Sequence, residues 1–121
     1  MYPTNLVQRT FSFAVAVAKT IDQLPNTLSN QAYFRQLARS SASVGANYRE
    51  TKRAKSTNDF LTKLKIVEEE ADESVYFLEL LIALNPTYDH LLQPLIQEGI
   101  EILKMVVASI KKVREAQIPK N

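Results

Sequence analysis

The feature that most constrains the fold is a long run of apolar and small residues at helical spacing in the second half of the chain. Its members recur three or four positions apart over six turns: Leu61, Leu64, Val67, Ala71, Ser74, Leu78 and Leu81. Residues three and four apart share one face of a helix, so this segment predicts a long amphipathic helix that must bury that face. Asn85 followed by Pro86 ends it, because proline disfavours helical backbone at the preceding residue.

Three more segments carry the same spacing. Their stripes are Leu6, Phe13, Val17, Ile21 and Leu24 in the first segment, Phe34, Leu37, Ser41, Val44 and Tyr48 in the second, and Ile96, Ile100, Leu103, Val107 and Ile110 in the last. We therefore predict four helices at about 5–24, 31–54, 58–84 and 94–116. The expected start signals are Ser29 or Asn30, a capping box at Ser56 and Asp59, and Pro94. Short connections favour antiparallel neighbours, so the predicted fold is all-α, an antiparallel up-down four-helix bundle in a single domain over 1–121.

The apolar surface of the first and last helices is wider than one stripe. Val7, Phe11, Ala14 and Ala18 widen the first, and Ile102, Val106 and Val113 form a second stripe in the last. A helix with so broad an apolar face is either central in its own bundle or packed on another subunit. We expect an obligate homo-oligomer.

Composition excludes several classes of protein. The chain has 121 residues, 45% of them hydrophobic, and no cysteine, so disulfides and thiolate chemistry are ruled out and a cytoplasmic protein is expected. The start of the sequence does not resemble a signal peptide, and the apolar run at 11–18 is too short to cross a membrane. The net charge of +2 is small. Any polyanion site must therefore arise from where the charges lie.

Catalytic and metal chemistry find little support in the residues. The acidic cluster at 68–73 lacks the Glu-x-x-His pairs of ferritin-like metal sites, since His90, the one histidine, does not follow a glutamate by three positions. The serines at 40, 41 and 43 have no nearby histidine to act as a base. The two glycines stand singly within helical patterns and form no phosphate-binding loop. We expect no enzymatic activity, no metal and no cofactor.

Polar residues lie beside a serine-sized seam in the second helix. We expect a structural polar network between helices two and three, which could fix their register; its members are Asn47, Glu50, Glu70, Glu73 and Ser74. A ligand pocket and plain solvent exposure are the alternatives for these residues. Gly45 is expected to mark the closest contact between the same two helices, because glycine destabilises a helix interior and is kept where backbones approach.

Basic residues cluster near the predicted ends of helices two and four. In an up-down bundle these ends lie together, and we call this surface the basic pole; its cations are Arg49, Lys52, Arg53, Lys55, Lys111, Lys112 and Arg114. Such a surface could attract RNA or DNA phosphates without reading sequence. The alternative is an interaction scaffold or accessory subunit that binds no nucleic acid, whose cations merely complement the negative ends of helix dipoles.

Four segments of the chain also resemble a known family. They resemble segments of the small bacterial four helix bundle proteins, which include proteins encoded by intervening sequences in 23S ribosomal RNA genes. The four segments are Arg39–Glu50, Lys63–Ile66, Glu70–Ser74 and Leu78–Leu81. The accessory variability determinants of diversity-generating retroelements are similar in fold. The resemblance implies a homopentamer, and its retroelement relatives imply nucleic acid and a reverse transcriptase as partners. From the residues themselves we expect no membrane association, because the apolar run at 11–18 is short.

Overall fold

The computed structural model describes residues 5–117, which form four α-helices joined by short connections. These are α1 (Leu6–Ile21), α2 (Leu28–Glu50), α3 (Thr57–Leu84) and α4 (Asp89–Gln117), with 3₁₀ turns at Thr51–Arg53 and Pro86–Tyr88. Each helix packs on the next along the chain, and α1 closes the ring against α4. The predicted all-α four-helix bundle is confirmed. No helix within the described residues is both long and apolar enough to cross a membrane.

The core consists mainly of the stripes that the spacing predicted. Its fully buried members in the first three helices are Phe13, Val17, Leu37, Val44, Leu64, Val67, Leu78 and Leu81. Each such side chain stabilises the fold by about 1.5 to 3 kcal/mol relative to an exposed one. In α4 both predicted stripes contribute to the core: Ile96 and Ile110 of the first and Ile102 and Val106 of the second are buried, whereas Val107 of the first is 43% exposed. The two stripes lie side by side, so periodicity alone could not show which of their members face the core.

Helix α2 begins about one turn earlier than predicted. The cap is Thr27, whose side-chain oxygen accepts from the backbone N–H of Asn30 at 3.1 Å, so neither Ser29 nor Asn30 is the cap. Asn30 is buried inside the first turn instead. At its other end α2 stops at Glu50 and continues as the 3₁₀ turn rather than to residue 54.

Helix α4 also begins earlier, at Asp89, which places Pro94 in the second turn of the helix. Proline lacks the N–H that would bond to the carbonyl of His90. His90 is exposed, so water can satisfy that carbonyl and the helix tolerates the proline. His90 therefore lies within α4. The predicted start of this helix at about 94 had placed the histidine outside it.

The two glycines mark close approaches, but Gly45 does not face the helix that we predicted. A Cβ atom on Gly45 would lie 3.2 Å from Oγ1 of Thr10, so the close neighbour is α1 and not α3. The approach at Gly99 is tighter, since a Cβ there would lie 2.9 Å from Cγ2 of Val75 on α3 and 3.5 Å from Cζ of Phe13 on α1. Gly99 therefore allows α4 to pack against two helices at once.

Two interior polar pairs join parts of the chain that are distant in sequence. Arg9 of α1 donates to both carboxylate oxygens of Glu98 in α4, at 2.7 and 2.8 Å. Asn30 and Asn85 exchange side-chain amide hydrogen bonds at 2.8 and 2.9 Å. Since both bonds between the asparagines are buried, this amide pair fixes the start of α2 against the end of α3.

Candidate nucleic-acid interface

The basic pole forms at one end of the bundle, as predicted from the topology. Gln117 donates to the side-chain oxygen of Asn58 at 3.4 Å, which places the end of α4 beside the start of α3. Val7, at the start of α1, lines the same depression as Arg49 and Arg53. Four helix termini therefore meet at this end, and all seven predicted cations are exposed.

The α2 side of the basic pole is its more uniformly cationic part. A depression of about 490 Å³ lies there, and Arg49, Lys52 and Arg53 line it together with Glu50. The ammonium group of Lys52 lies 5.6 Å from the ring centre of Tyr48, within range of a cation–π attraction. This contact favours one position of Lys52 while the ammonium group stays accessible to an anion.

The α4 side of the basic pole mixes cations with carboxylates. Lys111 and Arg114 line a groove of about 250 Å³ between α3 and α4, along with Lys65, Glu68 and Glu115. Lys65 pairs with Glu68 at 3.0 Å. The carboxylates reduce the positive potential on this side, so an anion should prefer the α2 side.

Asp59 is an anion built into the start of α3 beside the basic pole. Its backbone N–H donates to the side chain of Ser56 at 3.0 Å, which confirms the Ser56 half of the predicted capping box. Its carboxylate accepts from the backbone N–H of Lys55 at 2.9 Å, one residue before the cap and not from Ser56 itself. That backbone bond, followed by the bond from the Lys63 ammonium at 3.2 Å, holds the pKa of Asp59 below its ordinary value of 3.8. The carboxylate therefore stays ionised and fixes the turn that carries Lys55.

The residues predicted for the polar network fall into two groups. Ser74 donates to Ser40 across the α2–α3 seam at 2.9 Å, and Glu70 and Glu73 both pair with Arg39 of α2. These three therefore join the two helices.

The other two predicted members point elsewhere. Asn47 donates to the carbonyl of Ser43 in its own helix at 2.8 Å, and Glu50 is exposed and lines the cationic depression. The contacts on α2 come instead from Arg39 and Ser40, because these positions lie level with Glu70–Ser74 when the helices run antiparallel.

The Arg9–Glu98 pair was not predicted, although the sequence contains a signal for it. Arg9 lies three residues after Leu6 and four before Phe13, inside the stripe of α1. Glu98 lies three after Leu95 and four before Ile102, inside the buried stripe of α4. Single charges of opposite sign on two apolar faces indicate a buried pair, because a lone buried charge is strongly destabilising.

Residues 5–117 contain no group of three or more histidine, cysteine, aspartate or glutamate side chains arranged to hold a metal ion.

Comparisons with known proteins place the fold in context. The family model of the 23S rRNA-intervening sequence proteins matches residues 4–108. The chain is similar to a crystal structure at 1.70 Å resolution of a protein with unknown function from the S23 ribosomal protein family of Bacteroides thetaiotaomicron VPI-5482. The two share 33% identity with a TM-score of 0.81, covering 88% of this chain and 99% of the other. No curated protein matches the sequence. The family match includes the cations at the end of α2 and stops before those at the end of α4.

Proposed function

The chain belongs to the family of 23S rRNA-intervening sequence proteins, and from this premise we propose that it is a non-enzymatic homo-oligomer whose basic pole binds RNA or DNA. Binding would depend on charge and shape and not on base sequence. We further propose that the protein acts in the cytoplasm of a bacterial cell. The family resemblance implies an oligomer of five copies. It also implies a reverse transcriptase as a further partner.

The observation that carries the proposal is the meeting of exposed cations at one end of the bundle. Arg49, Lys52 and Arg53 surround one depression, and Lys55 follows in the turn to α3. Phosphate contacts of this kind supply most of the affinity in sequence-independent binding. The helices present no glycine loop or base-reading motif at this end, so a phosphate backbone suits the surface better than base edges do.

Self-association is proposed because α1 keeps an apolar face in the solvent. Phe11 is 65% exposed and Val15 lies beside it on the next turn. An oligomer would cover such side chains and would repeat the basic pole once per copy. Repetition matters because the salt-dependent attraction grows with the number of phosphates contacted.

The test is a titration of labelled RNA and DNA at several salt concentrations. Lys52→Gln/Lys55→Gln removes two exposed lysines from the basic pole, and Lys19→Gln/Lys104→Gln removes two exposed lysines from elsewhere. If each lost lysine removes one phosphate contact per chain, the slope of log affinity against log salt should become shallower by about 1.4 for single strands and 1.8 for duplex DNA. The control variant should keep the parent slope.

Two results would contradict nucleic-acid binding at this pole. One is a parent protein that binds neither RNA nor DNA at low salt. The other is an equal loss of affinity in both variants, which would indicate a general charge effect. In the first case the interaction scaffold becomes the better explanation of the exposed face on α1.

A further inference from the structure

An open apolar groove runs between α1 and α2 on the outside of the bundle. Its volume is about 590 Å³. Small residues line it where the two helices approach at Gly45, namely Thr10, Ala14, Ala42 and Ala46, and Phe11 stands at its edge. A groove with small walls and an exposed aromatic edge can receive a large side chain from another molecule.

Arginines accompany the alanines along the α2 side of this groove. Arg35, Ala42, Ala46 and Arg49 recur at intervals of seven, four and three positions, so they follow one strip of the helix. All four are exposed, and Arg49 itself lines the groove. The strip is therefore apolar in its middle and cationic at both ends.

The outward face of α3 has the opposite character. Tyr76 is 57% exposed at its centre. Glu69, Asp72 and Glu79 lie seven and four positions before it and three after it, and all three are exposed. Spacings of three, four and seven place these carboxylates around the tyrosine on one side of the helix. We call this surface the acidic tyrosine face.

We propose that the acidic tyrosine face of one chain docks in the α1–α2 groove of a second copy of the same chain, with Tyr76 in the groove. The inference rests on the self-association proposed above and supplies its contact. The exposed carboxylates complement in charge Arg49, which lines the groove, and Arg35, which lies further along the same strip of α2, and tyrosine is a frequent anchor at the centre of protein interfaces. Because the two surfaces differ, the contact is head-to-tail, and copies add until a ring closes.

Each of two variants disrupts one of the two surfaces that form the contact. Ala42→Glu places a carboxylate in the groove opposite the acidic face, and Tyr76→Ala removes the proposed anchor. Both positions are exposed helix positions, so the helical circular dichroism of each variant should match that of the parent. Analytical ultracentrifugation should show each variant alone near the 13.7 kDa of a single chain, at a concentration where the parent assembles.

Mixing the two variants tests the head-to-tail geometry directly. The Ala42→Glu chain keeps its acidic tyrosine face, and the Tyr76→Ala chain keeps its groove. The mixture should therefore form a one-to-one dimer and stop there, since no second intact contact remains. Val107→Ala, which truncates an exposed residue of α4 outside both surfaces, should assemble like the parent.

The outcomes distinguish the docking contact from the self-association on which it rests. A parent that assembles, with both variants assembling to the same mass, would overturn the docking contact and leave self-association standing. Monomeric variants that stay monomeric when mixed would also overturn it, because the contact would then not be head-to-tail. A parent that is itself a monomer at micromolar concentration would refute self-association and this contact together.

Discussion

We expect Arg9→Met to destabilise the bundle more than any surface charge change. The side chain of Glu98 is 4% exposed and that of Arg9 17%, and two hydrogen bonds of 2.7 and 2.8 Å join them. Methionine keeps helix propensity and much of the volume of arginine, but leaves the buried carboxylate without its guanidinium. Removing one partner of a buried pair costs about 3 to 5 kcal/mol. At about 3 to 6 °C per kcal/mol for a chain of this size, the melting temperature should fall by about 9 °C or more.

The assay is urea unfolding followed by circular dichroism, with every variant at the same protein concentration because an oligomer's stability depends on it. Glu101→Gln is the matched control, since Glu101 lies one turn further along α4 in an exposed pair with Lys104 at 3.7 Å. That change should cost less than about 1 kcal/mol. Arg9→Met/Glu98→Met should recover most of the loss, because an apolar pair can replace a buried ion pair. If Arg9→Met costs no more than Glu101→Gln, the pair does not hold α1 to α4.

Asn85→Ala should lower the free energy of unfolding by about 1 to 3 kcal/mol, because it leaves the buried side-chain oxygen of Asn30 without a donor, while the amide nitrogen keeps its bond to the Pro25 carbonyl; an unchanged urea midpoint would contradict this. Gly99→Ala should cost about 1 to 3 kcal/mol by overpacking against Val75, and adding Val75→Ala should relieve part of that cost; a stabilised single variant would show that α4 can shift. Asp59 has a lowered pKa, so its contribution to stability should be complete above pH 3.8 and lost as the pH falls through its folded pKa; the melting-temperature difference between the parent and Asp59→Asn should therefore narrow as the pH falls below 3.8, and a difference that stays constant would refute this.

Much of the fold could be predicted because burial demands a regular spacing. The six-turn stripe of α3 and the break at Asn85 and Pro86 leave few alternatives to a long helix that ends there. Spacing gives less information about how a helix is rotated about its axis. Gly45 was expected to face α3 and in fact faces α1, because the rotation depends on the volumes of side chains on both neighbours.

The interior polar pairs were harder to predict, for a different reason. Asn30 and Asn85 lie 55 positions apart, and each has the character of a helix-end residue when seen alone. Only the antiparallel packing of α2 on α3 brings their amides together. Arg9 and Glu98 lie 89 positions apart, and although each is a single charge inside an apolar stripe, only the packing of α1 on α4 brings the two side chains together.

The location of the basic pole followed from topology, but its uneven character did not. Which cations face carboxylates depends on how far each helix extends past its neighbours. Arg9 of α1 lies level with Glu98 and Met105, so α4 continues for twelve residues beyond that level, about 18 Å. This last part of α4 lies beside α3, where Lys65 and Glu68 line the same groove as Lys111, whereas the α2 cations line a separate depression.

The up-down order of the helices also determines where a purification tag or fluorescent label can be attached. Asn5 and Gln117, the two ends of the described chain, both belong to the end of the bundle that carries the basic pole. A tag fused at either end would lie close to the cations, and a histidine tag would add charge of its own there at low pH. The connection at 22–27 lies at the opposite end, and Asn26 is exposed in it. Because the sequence contains no cysteine, Asn26→Cys would provide a single labelling position far from the surface under study.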